Sequence, residues 1–280
     1  MITLLVGAAL AGTVTDNRGE TITADSPQRI VSLGGGVTEL VYALGAGDRV
    51  VAVDASSGYP EAVESVTKLG YHRQVGAEGI LSLSPDLVIA TTDAGPPASM
   101  EQIEAAGVSL LVLDASPGID ALKGRIQVLS ALLDVSDKGA ELQAGIDTSL
   151  GQVAADGAAP RVMFIYARGG GTLNVSGTNT AAAEMILLAG GVNAVDGYEG
   201  YRPLTAESAV MAAPDVLLLT EGGLGSLGGA EGLLKQPGIG LTPAGQNQRI
   251  VVMDDLYLLG FGPRAGAAAQ ELSVQFRAPQ

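Results

Sequence analysis

Apolar residues occur along this chain in short runs that glycine-rich turns separate. Continuous apolar runs of this length are typical of parallel strands that are buried on both faces. The segments between the runs have apolar residues at helical spacing. The pattern therefore alternates between strand and helix, which predicts a parallel sheet with helices outside it. In the first half the predicted strands are 29–33, 50–53, 86–90 and 109–113, and the predicted helices are 38–44, 77–83 and 100–106.

The middle of the chain is helical by the same criterion. Apolar residues at 119, 122, 126 and 129 predict one helix, and a second helical pattern covers about 137–154. Strand and helix then alternate again, with predicted strands at 161–166, 216–220 and 250–253 and helices at 181–189, 206–212 and 265–276. The segments 169–171 and 222–229 are rich in glycine and are predicted to be loops, whereas 14–23 reads as a hairpin around an Asn-Arg-Gly turn.

The second half of the chain repeats the first. The pattern Glu78-x6-Pro85-Asp86 recurs as Glu207-x6-Pro214-Asp215, with an offset of 129 in each pair. A duplicated unit predicts two similar Rossmann-like α/β lobes, joined by a single long helix, with a ligand cleft between them. The predicted boundaries are 12–117 for the N-terminal lobe, 118–157 for the helical connection and 158–280 for the C-terminal lobe.

Composition narrows the possible functions. The formal charge is 15 basic minus 30 acidic residues, or −15, which argues against nucleic acid and anionic lipid as partners. The chain has no cysteine, so thiol nucleophiles and thiolate metal sites are excluded. A single histidine excludes a histidine-rich metal site within one chain, and also haem ligation by two histidines.

The N-terminal segment 2–11, ITLLVGAALA, resembles the apolar core and small-residue end of a secretory signal, although the basic lead-in is missing. We expect residues 1–11 to be a residual signal segment of an exported protein, with the mature chain starting near Gly12. The alternative is a buried strand. No apolar run reaches the roughly 18 residues that are needed to span a bilayer.

The stretch 69–83, LGYHRQVGAEGILSL, contains the candidate chemistry. If it is extended, Tyr71 and Arg73 share one face and His72 points away. A cation beside a phenol favours the phenolate, and an anionic oxygen can hold ferric iron, since tyrosine is an axial ligand of haem. These residues therefore predict haem binding, with Tyr71 on the iron and Arg73 supporting it. A surface loop whose tyrosine merely packs is the alternative.

These residues resemble the haem-binding periplasmic proteins of bacterial haem ABC importers, a class that also carries cobalamin and ferric siderophores. The resemblance extends from Pro27–Leu33 to Gly260–Arg264 and is most specific at Gly70–Gln74 and Ala77–Leu83. It implies a monomeric, non-enzymatic protein that carries haem b to a membrane permease. Tyr71 would be the axial ligand, His72 has no implied role, and the iron would be five-coordinate or have a weak sixth ligand.

The resemblance also implies one docking glutamate on each lobe, which would meet arginines of the permease. Glu78 and Glu207 are at those positions and are matched by the repeat. The alternative for each is a glutamate in the first turn of a helix, where the helix dipole favours an acidic side chain.

Further residues are candidates for contacts with the ligand. Haem is an apolar disc with two propionates, so its pocket needs apolar walls and a few cations, and arginine suits planar carboxylates. Arg73, Arg168 and Arg202 are the candidate cations, whereas Arg264 is more simply a solvated loop arginine. The candidate walls are Tyr198, Tyr201, Tyr257 and Phe261.

Two other functions remain open from the sequence. The same fold could carry a ferric siderophore or cobalamin, which bring an already chelated metal and leave Tyr71 without a role. A nucleotide-binding α/β enzyme is the second alternative, but Gly34–Gly36 lacks the G-x-G-x-x-G spacing of a dinucleotide site.

Overall fold

A computed structural model of the protein describes residues 12–154, 158–168 and 173–278. The predicted signal segment 1–11 and the predicted glycine loop 169–171 lie outside the described residues. By its internal contacts the chain forms two compact units. The first contains the described residues up to Ala115 together with Asp120–Gln143, and the second contains Ser116–Ile119 and the residues from Ala144 onward.

The first unit is built on a five-stranded parallel sheet with the strand order β5-β4-β3-β6-β7. The predicted hairpin at 14–23 is confirmed as the antiparallel pair β1 and β2. The elements are β1 (Gly12–Thr15), β2 (Thr21–Ala24), β3 (Ile30–Ser32), α1 (Gly35–Ala43), β4 (Val50–Val53), β5 (Thr67–Lys68), α2 (Ala77–Leu81), β6 (Leu87–Thr91), α3 (Pro97–Ala105), β7 (Ser109–Leu113) and α4 (Ile119–Leu132).

The start of helix α1 differs from the sequence-based expectation. The helix begins at Gly35, three residues before the predicted start at Thr38, and its N-cap is Gly34. Gly34 has a φ of 115°, a conformation that residues with a side chain rarely adopt. Thr38 lies inside the helix, where its hydroxyl forms hydrogen bonds with the hydroxyls of Ser32 and Ser57.

The second unit has a mixed sheet with the strand order β11-β9-β8-β12-β13, and β10 also pairs with β8. Strands β9 and β11 are antiparallel to their neighbours, so the expectation of a wholly parallel sheet is wrong for this edge. The elements are β8 (Arg161–Tyr166), β9 (Asn174–Ser176), α6 (Ala181–Leu188), β10 (Val192–Asn193), β11 (Tyr201–Pro203), α7 (Ala206–Ala212), β12 (Val216–Thr220), α8 (Glu221–Ser226), α9 (Gly229–Leu234), α10 (Pro243–Gln246), β13 (Ile250–Met253), α11 (Asp255–Leu259) and α12 (Ala265–Arg277).

The predicted loop at 222–229 is largely helical, as helix α8 and the start of helix α9. Glycine is a poor helix former, which is why the sequence pattern indicated a loop. Two side chains stabilise the first turn of α8. The hydroxyl of Thr220 accepts a hydrogen bond from the backbone N–H of Gly223, and the Asp255 carboxylate accepts one from Gly222.

The internal repeat has a structural basis in each unit. The Asp86 carboxylate accepts the backbone N–H of Arg29 at the start of β3, and the Asp215 carboxylate accepts that of Arg161 at the start of β8. The residues two positions before these aspartates also match, since Ser84 and Ala213 both have a positive φ, of 48° and 41°. The repeated Pro-Asp therefore joins the starts of two neighbouring parallel strands in both units.

The helix α5 (Ser136–Leu150) contains the boundary between the two units, which falls between Gln143 and Ala144. The predicted long helix is therefore present, although it ends four residues earlier than the sequence indicated. The α/β fold class is confirmed. Within the described ranges, no helix combines the length and apolar character that a bilayer crossing requires.

Candidate functional site

Tyr71 lies in a surface loop that follows strand β5 in the first unit. Its own backbone is extended, with φ −66° and ψ 133°, but the next three residues form a 3-10 turn. The N–H of Gln74 donates to the carbonyl of Tyr71 at 2.7 Å, which closes this turn. The expectation of an extended stretch is therefore wrong for 72–74. The Tyr71 side chain is 37% exposed, whereas that of His72 is buried.

Arg73 is close to Tyr71, as predicted, but it contacts the face of the ring. Its guanidinium carbon lies 5.8 Å from the ring centroid, within the range of a cation–π contact. The guanidinium also donates to the Asp93 carboxylate, from Nη2 at 2.6 Å and from Nε at 3.1 Å. The positive charge beside the phenol is therefore already paired with a carboxylate.

Asp54 is a buried carboxylate directly after strand β4, and it is hydrogen-bonded to His72 in the loop that contains Tyr71. Burial by itself would raise its pKa, but hydrogen bonds from His72 and Ser56 outweigh burial and hold the pKa well below its usual range. The carboxylate accepts a full set of donors from three segments of chain, which keeps a buried charge stable. The donors are the N–H groups of Gly34, Ser56 and His72, the hydroxyls of Ser56 and Ser57, and Nδ1 of His72.

His72 lies between two carboxylates. Its Nδ1 is 3.1 Å from Asp54 and its Nε2 is 3.5 Å from Asp93. Burial lowers the pKa of His72, but the hydrogen bonds with the two carboxylates outweigh burial and raise the pKa to about 9. The imidazole is therefore a cation at neutral pH. Its ring meets that of Tyr71 edge-on, with centroids 4.4 Å apart and an interplanar angle of 62°.

The charges around Tyr71 are balanced. Hydrogen bonds from His72 are the main reason that the pKa of Asp93 is held well below its usual range, so this carboxylate is ionised. Two cations, His72 and Arg73, face two carboxylates, Asp54 and Asp93. The sequence predicts only the role of Arg73 and none for the histidine. The signal that could have identified this cluster is an aspartate shortly after each of two strands, β4 and β6, which lie on either side of β3 in the sheet.

In the second unit, aromatic rings gather at the antiparallel edge of the sheet. The ring of Tyr201 is 5.7 Å from that of Tyr166 and 6.4 Å from that of Phe164. Arg168 lies over the ring of Tyr166 at 5.6 Å. Tyr166 and Arg168 thus repeat the Tyr-x-Arg spacing and the stacking of Tyr71 and Arg73. Tyr166 was missed in the sequence analysis because it is the last residue of a buried strand.

The other predicted ligand-binding residues of this unit also form arginine–tyrosine pairs. Arg202 lies 4.5 Å from the ring centroid of Tyr198, and the Tyr198 hydroxyl donates to a backbone carbonyl in β9. Arg264 lies 4.8 Å from the ring centroid of Tyr257. Phe261 differs from them, because its side chain is only 3% exposed and packs in the interior of the unit.

Glu78 and Glu207 occupy equivalent places. Each is the second residue of its helix, α2 or α7, and each is exposed to solvent. The position suits an acidic side chain because of the helix dipole. In the described part of the chain, no three His, Asp or Glu side chains are arranged to hold a bare metal ion.

Comparison with known proteins identifies the family. The family model described as periplasmic binding protein matches residues 30–257. The chain belongs to the periplasmic binding protein family. The resemblance stated from the sequence is thereby confirmed, and the family is one of substrate-binding proteins. Its fold is also that of a solved relative, the periplasmic heme-binding protein RhuT from Roseiflexus sp. RS-1, with a TM-score of 0.86 and 44% sequence identity. The match covers 89% of this chain and 97% of that chain.

Two further proteins are similar to this chain in sequence. The uncharacterized ABC transporter substrate-binding lipoprotein YvrC of Bacillus subtilis (strain 168) is 26% identical over 269 residues, which cover 93% of this chain and 84% of that protein. The vitamin B12-binding protein of Yersinia pestis (strain Pestoides F) is 36% identical over 94 residues, or 34% of each chain. Periplasmic binding proteins similar to this chain therefore differ in the substrates that their names state.

Proposed function

We propose that this periplasmic binding protein is exported, binds haem and delivers it to the permease of an ABC importer. The observation that carries the proposal is the half-exposed phenol of Tyr71, held beside the charge cluster of Asp54, His72, Arg73 and Asp93. The similarity to a periplasmic heme-binding protein at 44% identity supports it.

Tyr71 is the proposed axial ligand of the ferric iron. A phenolate oxygen is a hard anionic donor, and tyrosine ligation of haem iron is an established mode. The Tyr71 ring is anchored on two sides by charged neighbours, whereas its exposed part remains available to a ligand. Arg73 keeps a cation close to the ring while Asp93 orients its guanidinium.

The propionates of haem need cations, and the second unit has them in a suitable form. We propose Arg168 and Arg202 for this role, because each is exposed and its guanidinium is stacked on a tyrosine ring, which orients its donors without removing them from solvent. Tyr198, Tyr201 and Tyr257 are the proposed aromatic walls. Tyr201 suits this role best, since 43% of its side chain is exposed. Phe261 is buried and is therefore not proposed as a wall.

Glu78 and Glu207 are the proposed docking residues for the permease. Both carboxylates are exposed at the same position of equivalent helices, so a partner with two arginines could recognise one orientation. Replacement of both by glutamine is expected to abolish haem import by the reconstituted transporter while hemin titration stays unchanged. Replacement of Glu64 and Glu231, which are also first-turn glutamates, is the matched control.

Cobalamin is a second candidate ligand, which the local similarity to a vitamin B12-binding protein favours. Its cobalt is already held by the corrin ring, so a protein oxygen ligand is not required. Binding of cobalamin would therefore be insensitive to the loss of the Tyr71 hydroxyl, and the two candidates can be separated with one substitution.

The deciding experiment is an absorption titration with hemin and with cyanocobalamin on the wild type and on Tyr71→Phe. If the protein transports haem, hemin should give a shifted Soret band and phenolate features in the spectrum of the wild type. The phenolate features should disappear in Tyr71→Phe, because this substitution keeps the ring and removes only the hydroxyl. Tyr59→Phe, at another exposed tyrosine of the same unit, is the control and should match the wild type. Saturable binding of cyanocobalamin without a hemin response would replace the proposal by the second candidate.

A further inference from the structure

We propose that His72 is a positioning residue for the iron ligand Tyr71, and that it acts through the two carboxylates between which its imidazole is held. The inference rests on the proposed function, since it concerns the same ligand. It goes further because it assigns the single histidine of the chain a role that neither the sequence nor the family implied.

His72 is held in place through both its main chain and its side chain. One carboxylate oxygen of Asp54 accepts both the backbone N–H of His72, at 3.3 Å, and its Nδ1, at 3.1 Å. The chain segment that immediately follows Tyr71 is therefore tied to the end of strand β4 by main chain and side chain together. The backbone carbonyl of His72 is also bound, because it accepts the N–H of Gly95 at 2.9 Å.

His72 and Arg73 are linked through a shared carboxylate. The same oxygen of Asp93, Oδ2, lies 3.5 Å from Nε2 of His72 and 2.6 Å from Nη2 of Arg73. The other oxygen of Asp93 accepts the hydroxyl of Thr91 at 2.6 Å, which fixes the carboxylate to the end of β6. Both residues after Tyr71 are thus connected to one acceptor, so a change at either alters the other.

His72 and Arg73 both contact the phenol ring of Tyr71. The imidazole meets the Tyr71 ring edge-on, and the Arg73 guanidinium lies over it. These two groups limit the directions in which a half-exposed ring can point. A tyrosine side chain that is already oriented loses less conformational entropy when its oxygen binds iron. Packing and hydrogen bonds from neighbouring groups can hold such a binding group within a fraction of an ångström.

The anchor of the network is in the core of the first unit. Asp54 accepts the hydroxyl of Ser57, which is hydrogen-bonded to Thr38, which in turn is hydrogen-bonded to Ser32 of strand β3. All of these side chains are buried. The position of the imidazole is therefore set by the sheet, and the loop transmits that position to Tyr71.

The test compares hemin complexes of the full-length wild type, His72→Gln, Asp93→Asn and the double variant. The control is Asp16→Asn, since Asp16 is a buried, salt-bridged carboxylate of the same unit that accepts two backbone N–H groups in a different loop. The readouts are the iron–phenolate charge-transfer band, the tyrosinate modes in resonance Raman spectra, and the rate of hemin transfer to apomyoglobin. Tyr71→Phe defines the spectrum without the ligand.

We expect both single variants to bind hemin with altered phenolate bands and to release it about tenfold faster, as the loss of a hydrogen bond to a charged group predicts. The double variant should release hemin little faster than the more severe single one, because both act on one network. Asp16→Asn should lower stability and leave the bands and the release rate at wild-type values.

Wild-type bands and release rates in folded His72→Gln would overturn the inference while the proposed function stands. If His72→Gln does not fold, Asp93→Asn decides in the same way, because it removes the negative charge that faces Nε2, at a half-exposed position. If the wild type itself lacks the phenolate bands that Tyr71→Phe should remove, the proposed function fails, and the inference with it.

Discussion

The imidazole of His72 makes the stability of this protein depend on pH in a defined window. Its pKa is raised to about 9 in the folded protein from the ordinary value of 6.5, because Asp54 and Asp93 stabilise the cation against the effect of burial. The folded state therefore holds a proton that the unfolded chain releases between these pH values. The contribution is fully present below pH 6.5 and is lost as the pH rises to about 9.

The magnitude follows from the shift. The pKa of His72 changes by about 2.5 pH units, which at about 1.4 kcal/mol each corresponds to a contribution of roughly 3 kcal/mol to the free energy of unfolding. Because the ring is buried, solvent screens its interaction with the carboxylates only a little. We expect the free energy of unfolding of the apoprotein to decrease by about that amount between pH 6.5 and 9. Asp54, Asp93 and Arg73, which face the ring, keep their charges throughout this range.

Urea unfolding followed by circular dichroism at half-unit pH steps measures the effect. The assignment is direct because the chain has one histidine and no cysteine, so no other side chain with an ordinary pKa titrates in this window. His72→Gln is the control and should lack the slope. Stability that stays constant or rises between pH 6.5 and 9, or a slope that persists in His72→Gln, would refute the reasoning.

Three further substitutions test other parts of the structure. Ala213→Gly should raise the free energy of unfolding by up to about 1 kcal/mol, because Ala213 follows helix α7 with a φ of 41°, which glycine adopts more easily than alanine. Ala212→Gly, inside the helix, should lower the free energy of unfolding. Gly232→Ala should unfold the second unit at lower urea, since a Cβ there would lie 1.7 Å from a backbone oxygen, whereas Gly225→Ala meets nothing within 4 Å and should be neutral or stabilising. Tyr166→Phe should reduce the hemin capacity or affinity if its Tyr-x-Arg pair also serves haem. An unchanged titration would restrict the iron ligand to the first unit.

The sequence by itself determined the elements and their order. Continuous apolar runs are typical of buried parallel strands, and the sequence predicts the strands 50–53, 109–113, 161–166, 216–220 and 250–253 with the bounds that the structure has. The repeated Pro-Asp was visible because each copy makes the same local bonds, to the backbone of Arg29 or Arg161. Tyr71 and Arg73 could be paired as neighbours because they are two residues apart.

The tertiary structure decided what depends on residues far apart in the chain. Helix α8 forms in a glycine-rich segment because Asp255, 33 residues later, accepts the N–H of Gly222. Strands β9 and β11 are antiparallel to their neighbours in the sheet, and no short sequence pattern records the direction in which a strand pairs. Asp54 is 18 residues before His72, and only the pairing of β4 and β6 with β3 brings it and Asp93 to the same loop. Hydrogen bonds with these two carboxylates then make the histidine a cation, against the effect of burial, which its sequence neighbours could not reveal.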